Sequence, residues 1–121
     1  MISNGIDLVI INRFDKIKNN KNLLSSIFNK NELKYIEKSN YSSKTIAGMY
    51  AAKEAFLKAI KKGINHYSLL DIEISHNDDR CPFIILHNSL KDKYNNISVS
   101  ISHDGDYAIS IVTLFNKWFF I

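Results

Sequence analysis

Residues 45–62 read Thr45-Ile46-Ala47-Gly48-Met49-Tyr50-Ala51-Ala52-Lys53-Glu54-Ala55-Phe56-Leu57-Lys58-Ala59-Ile60-Lys61-Lys62. Ile46, Met49, Tyr50, Leu57, Ile60 and then Ile64 recur at helical spacing, with Ser42 and Ser43 ahead as caps and Gly63 behind as a stop. The pattern predicts one long amphipathic helix. On a wheel of about 100° per residue, Lys53 falls in the middle of the apolar stripe. Glu54 lies at the edge of that stripe, with Lys58 four residues on and Lys61 seven on. The plain reading of Glu54 and Lys58 is a solvated pair worth a few tenths of a kcal/mol. For Lys53 it is a stem along the core with its head in water.

On the N-terminal side, Gly5 to Ile11 is a β-branched run that predicts a strand, and Asn12 is placed to cap a short helix through Lys18. Leu23–Phe28 and Glu32–Lys38 predict two more short helices. On the C-terminal side, Leu70, Ile72 and Ile74 alternate with polar residues, and Phe83–Leu86 is a second apolar run. A short helix is expected over Ser89–Tyr94. Ile97, Val99 and Ile101 then alternate with Ser98, Ser100 and Ser102, and Tyr107–Leu114 resumes strand character beyond the turn pair Asp104-Gly105. Helices first and hairpins later predict an α+β fold, an antiparallel sheet packed on the long helix, in one domain spanning 1–121.

The chain of 121 residues is long enough for a real core but too short to enclose a deep chamber, so a site is expected near a surface or between subunits. Sixteen Lys+Arg against twelve Asp+Glu give +4, which favours acidic or phosphorylated partners; fourteen of the cations are Lys, which a Lys-rich genome also produces. Cys81 is the single cysteine, so an internal disulfide and a cysteine-based zinc cluster are excluded. The N-terminal run lacks a cationic leader and contains Asp7, so it reads as neither signal peptide nor membrane span, and a cytoplasmic location is expected.

Three positions carry candidate chemistry. Asp7 interrupts an apolar strand, where an ionised carboxylate needs a cation, a metal or water; Mg²⁺ is a suitable partner because it accepts one or two carboxylates plus waters and phosphates. Glu54 is the second candidate carboxylate. His103 ends a strand at the mouth of the hairpin. Adjacent Ser102 and His103 face opposite sides of that strand, and no strand-turn-helix nucleophile elbow is present, which argues against a serine hydrolase. His66, His76 and His87 lack metal-ligand spacing and read as surface residues, and Cys81 as a turn residue.

Gly5-Ile6-Asp7-Leu8-Val9 with Arg13-Phe14, Ala51-Ala52-Lys53-Glu54-Ala55-Phe56-Leu57-Lys58-Ala59, Asp71-Ile72-Glu73-Ile74, and Ser100-Ile101-Ser102-His103 with Tyr107-Ala108 follow one another in a specific order. The ordered set resembles the holo-acyl-carrier-protein synthases, the small bacterial phosphopantetheinyl transferases. The resemblance implies transfer of the phosphopantetheine arm of coenzyme A to a serine of apo acyl carrier protein, releasing adenosine bisphosphate, with Mg²⁺ required, in support of fatty acid biosynthesis. It implies Asp7 and Glu54 as metal ligands, Glu54, Lys58 and His103 as catalytic residues, and Lys53, Lys58 and His103 as coenzyme contacts. Which of Glu54, a metal-bound water or His103 removes the serine proton stays open.

The resemblance further implies a homotrimer with a site at each subunit interface; the apolar run Trp118, Phe119, Phe120 and Ile121 is either its buried contact or the end of the last strand against the core. Arg13, Lys16, Lys18 and Lys21 are expected to meet the acidic carrier protein, and neither nucleic acid nor membrane is an expected partner. Three positions depart from the family's pattern. Ile10 stands where an outer acid is common, Met49 where an arginine often opens the helix motif, and Arg80-Cys81-Pro82 where Gly-Lys-Pro is common. The competing readings are a small RNA- or polyanion-binding domain using Lys16, Lys18, Lys21 and Lys30, which lacks an aromatic-basic stacking motif, and a Mg²⁺-dependent nucleotide phosphohydrolase.

Overall fold

The computed structural model describes residues 2–63 and 66–115. Strand β1 (Ile2–Ile10) buries Ser3, Gly5 and Val9 and leaves Ile2, Ile6, Leu8 and Ile10 exposed, the two-residue alternation of a sheet with one covered face. The strand starts earlier than the β-branched run because it is paired along its length, from Ile2 opposite Phe115 to Ile10 opposite Tyr107. That partner is β5 (Tyr107–Phe115), which also pairs antiparallel with β4 (Ile97–Asp104), giving the order β1-β5-β4. Asp104 still pairs with Tyr107, so the hairpin loop is Gly105-Asp106, one residue later than the Asp104-Gly105 expected. Gly105 takes φ +55 there, as primed hairpin turns require of glycine.

Between β1 and the long helix run a 3-10 turn (Ile11–Arg13) and three short helices, α1 (Phe14–Ile17), α2 (Lys21–Ile27) and α3 (Lys30–Lys38). Asn12 caps none of them: it lies within the 3-10 turn, and α1 opens without a side-chain cap. Asn20 caps α2, and Asn29 with Glu32 forms a reciprocal capping box on α3.

Helix α4 (Ser43–Ala59) is capped by the Ser42 side chain, which accepts from the Thr45 amide. It ends before Lys62. Lys61 adopts φ +65, and the Lys62 and Lys61 amides donate back to the carbonyls of Leu57 and Lys58, a Schellman closure that leaves Gly63 no role as the stop. Ile64, counted in the apolar stripe, lies outside the described residues, as do Trp118, Phe119, Phe120 and Ile121.

The sheet's inner face lies on α4. A Cβ on Gly5 would stand 1.9 Å from the Ala55 carbonyl oxygen and 2.5 Å from the Ala59 nitrogen, so only a hydrogen fits where the helix crosses β1. Ala51, Ala52, Ala55 and Ala59 are wholly buried, and Ser3 donates its hydroxyl to the Ala59 carbonyl. Ile46, Met49, Phe56 and Leu57 are buried as well, so α4 is a central helix covered on most sides rather than one with a single apolar stripe.

The second sheet pairs β2 (Ile72–His76) with β3 (Pro82–Leu86). The helix expected over Ser89–Tyr94 reduces to a single 3-10 turn, Asn88–Leu90. No described helix is long and apolar enough to cross a membrane.

Candidate active site

Asp7 points from the inner face of β1 toward the last turn of α4. There the Lys58 ammonium donates to Asp7 Oδ1 and to the Ile6 carbonyl, each at 3.0 Å. The pair is partly open to water, with 56% of the Lys58 side chain and 14% of the Asp7 side chain exposed, so it adds little to stability and leaves both groups available to a ligand. Glu54 stands one turn before Lys58, half-buried on the same helix edge. One turn earlier still, the Tyr50 hydroxyl accepts from Arg13 Nη2 at 3.5 Å, and the guanidinium lies 5.1 Å from its ring centre. Burial first, and then the neighbouring Glu54 carboxylate, hold the Tyr50 phenol above its ordinary value.

The structure thus places four expected residues along one edge of α4, with Lys58 paired to Asp7 at one end, Arg13 on Tyr50 at the other, and Glu54 one turn from each of Tyr50 and Lys58. The helical spacing of the apolar residues predicts Tyr50 in the core; the i,i+4 series Tyr50, Glu54, Lys58 is the signal for its second role.

Asp7 on the Lys58 ammonium, with Glu54 one helical turn away on the same edge of α4, offers hard oxygen donors of the kind that suit a magnesium ion completed by water and phosphate oxygens. Among the described residues no group of three or more His, Cys, Asp or Glu side chains is arranged as a metal cage, so any such ion depends on oxygens from its ligand.

His103 is not on this strip. It projects from the inner face at the far end of β4, where its Nε2 lies 2.9 Å from the Lys44 carbonyl in the first turn of α4. From Lys44 to Lys58 the helix axis runs about 21 Å at about 1.5 Å per residue, so His103 and the Asp7–Glu54–Lys58 group occupy opposite ends of α4.

Lys53 is corrected. Its ammonium donates at 2.7 Å to the carbonyls of Ile27 and Leu69 and to Glu32 Oε1, and both charged side chains are 0% exposed. All three protons are used inside the chain, so no donor remains for coenzyme A. Glu32 Oε1 also accepts from the Asn29 amide and Oε2 from the Ile74 amide. Burial raises the Glu32 carboxyl against the opposing charge of Lys53, and lowers the Lys53 ammonium against that of Glu32. The sequence held both halves of this signal: a lysine inside an apolar stripe, which needs a partner, and Asn29-x-x-Glu32 as a capping box.

Arg13 and Lys16 are exposed and Lys18 half-buried around α1, and Lys21 is exposed at the start of α2. His66 is exposed as expected, and Cys81 is exposed in the connection between β2 and β3, two residues after the turn at Asp78-Asp79. The other two histidines are not plain surface residues. His76 stacks on Tyr35 at 3.8 Å between ring centres, and His87 lies 2.9 Å from the carboxylate of the buried Glu73. Of the departures, Ile10 is exposed on the outer sheet face and Met49 is buried.

Residues 3–112 match the family model of the 4′-phosphopantetheinyl transferase superfamily, and the chain belongs to that family. It is similar to a holo-[acyl-carrier-protein] synthase of Campylobacter hominis, 44% identical over 117 residues that cover 91% of this chain and 94% of that protein. A holo-[acyl-carrier-protein] synthase of Finegoldia magna is 38% identical over 110 residues, covering 91% and 92%.

Solved structures agree. The Helicobacter pylori synthase in complex with coenzyme A superimposes with a TM-score of 0.79 at 36% identity, covering 93% of this chain and 97% of that one. The Bacillus anthracis synthase in complex with CoA (3′,5′-ADP) gives 0.79 at 30% identity, covering 93% and 94%.

Proposed function

We propose that this chain transfers the phosphopantetheine arm of coenzyme A to a serine hydroxyl of apo acyl carrier protein, with Mg²⁺, in the cytoplasm and in support of fatty acid synthesis. The observation that carries the reading is the strip Asp7–Lys58–Glu54, a pair of hard carboxylates and an ammonium at the point where β1 crosses α4. In the transfer, the serine oxygen bonds to the phosphorus on the pantetheine side and the pyrophosphate P–O bond breaks. Adenosine 3′,5′-bisphosphate departs and the serine proton is released.

Asp7 and Glu54 would hold the ion. When bound, magnesium supplies neutralisation of charge that develops on the phosphoryl oxygens. Lys58 is free to turn one or more of its three N–H donors from Asp7 and the Ile6 carbonyl onto the same oxygens, adding a charge-assisted contact.

The position of His103 about 21 Å along α4 supports an assembly in which a neighbouring chain supplies the second half of each site. An apolar outer face is available for it, formed by Ile2, Ile6, Leu8 and Ile10 of β1 beside Tyr107, Ile109, Ile111 and Phe115 of β5, all exposed in the single chain. We assign that face to a homotrimer, because a patch of this kind marks an interaction surface. Arg13, Lys16, Lys18 and Lys21 would steer the acidic carrier protein to the Arg13 end of the strip.

Chromatographic detection of adenosine 3′,5′-bisphosphate tests the reaction. Release that requires both carrier and Mg²⁺ supports it; release from coenzyme A without carrier indicates a phosphohydrolase instead. Light scattering tests the assembly: a mass of three chains is expected, and full activity from a monomer would overturn it.

A further inference from the structure

Lys44 and Gly48 lie one turn apart on α4, and the His103 imidazole packs into the gap between them. A Cβ on Gly48 would stand 2.8 Å from His103 Nε2, 3.3 Å from its Cε1 and 2.8 Å from Ile101 Cγ2. In an α-helix the residue-44 carbonyl is the acceptor for the residue-48 amide, so the absence of a side chain at 48 is what opens that carbonyl to a second donor. His103 Nε2 takes the opening, 2.9 Å from the Lys44 oxygen. A carbonyl oxygen can only accept, so Nε2 must carry the proton. In the neutral ring, Nδ1 is then the unprotonated nitrogen. Nδ1 has no hydrogen-bond partner among the described residues and is not sealed from solvent.

We infer that Gly48 is a positioning residue: it seats His103 against the Lys44 carbonyl, fixes the Nε2–H tautomer and presents Nδ1 as the atom that meets the ligand. Thr45, Tyr35, His76 and Arg80 line the cavity His103 faces. Burial there lowers the His103 imidazole below its ordinary value, against the opposing bond to Lys44, so near neutral pH the seat offers a lone pair rather than a cation. The contact suited to it is a hydroxyl or amide donor of the ligand. The atoms nearest a Cβ at position 48 belong to the His103 ring end and the Ile101 γ-methyl and not to backbone, so Gly48→Ala is accommodated by displacing those two side chains, with α4 intact.

The kinetic part of the test rests on the transferase reading; the spectroscopic part does not. Proton–nitrogen correlation spectra of the full chain should show His103 as the Nε2–H tautomer above neutral pH. In Gly48→Ala, and in Gly48→Ala with Ile101→Leu, which lacks the Cγ2 branch and so relieves the second contact, the two tautomers should mix and the His103 titration should move up toward 6.5, its ordinary value. Gly48→Ala should cut kcat/KM by roughly 10- to 100-fold, as misplacement of a contact by about 1 Å does. His103→Ala should lose a similar amount, and the double variant no more than His103→Ala alone.

An Nδ1–H tautomer in the wild type, an unchanged spectrum in the alanine variants, or multiplicative losses in the double variant would each overturn the inference. A wild-type chain with no transferase activity would refute the function instead, and the spectra would still decide the seat.

Discussion

Replacing Lys53 with methionine keeps the length of the side chain and removes its charge. Among the described residues Lys53 is the only cation that Glu32 Oε1 meets, and its ammonium also satisfies the Ile27 and Leu69 carbonyls. The variant leaves a buried carboxylate with two amide donors and no countercharge, and leaves both carbonyls short of a donor. Removing one partner of a buried pair costs about 3–5 kcal/mol, because the other is stranded in a medium that cannot solvate it. At this chain length that is a fall in Tm of roughly 10–25 °C.

Glu32 is already raised by burial, and without Lys53 it rises further. The folded variant then binds a proton that the unfolded chain releases above 4.5, so its deficit against wild type grows as pH rises through that window and shrinks as pH falls. Adding Glu32→Gln removes the stranded charge. Urea denaturation of the wild type, both single variants and the double variant should give a double-variant loss smaller than the sum of the singles by at least about 1 kcal/mol. A Lys53→Met cost under about 1 kcal/mol, or additive losses, would refute the reasoning. The KM for coenzyme A of the folded Lys53→Met protein should stay near wild type; a selective rise would return Lys53 to the ligand.

Asp7→Asn and Glu54→Gln should each remove Mg²⁺-dependent transfer while changing Tm little, because both groups are partly exposed; normal turnover at saturating Mg²⁺ in either would refute the metal assignment. Lys16→Glu with Lys18→Glu should raise the carrier KM at low salt and leave that for coenzyme A unchanged, an effect that fades as ionic strength rises; steady-state kinetics at two salt concentrations check it. Burial holds the His76 imidazole below 6.5, so the unfolded chain takes up protons first and the stability due to His76 is lost as pH falls through 6.5. Between about pH 7.5 and about pH 5.5 the wild type should therefore lose more stability than His76→Gln, measured by urea unfolding.

Elements whose signals are local were legible in the sequence. The alternation in β4, the strand residues opposite it and the Ser42 cap of α4 need no distant partner to be read. The end of α4 was misread because Gly63 is the better left-handed residue in isolation, whereas the closure places Lys61 there, two residues earlier. Lys53 shows the same limit at the site. Its place in an apolar stripe was evident, but spacing along one helix does not reveal an acceptor twenty-one residues away on α3.

The order of the carboxylates and Lys58 along the chain pointed to a phosphate-handling site. That His103 sits at the other end of α4 follows only from the register of β4 against β5 and the packing of both on the helix.

The intact mass of the carrier protein reads the chemical transfer directly. Apo acyl carrier protein incubated with this chain, coenzyme A and Mg²⁺ should gain one phosphopantetheine arm on one serine. The gain should vanish when the metal is chelated and when Asp7→Asn replaces the wild type. A carrier of unchanged mass, under conditions in which an authentic holo-acyl-carrier-protein synthase modifies it fully, would contradict the account.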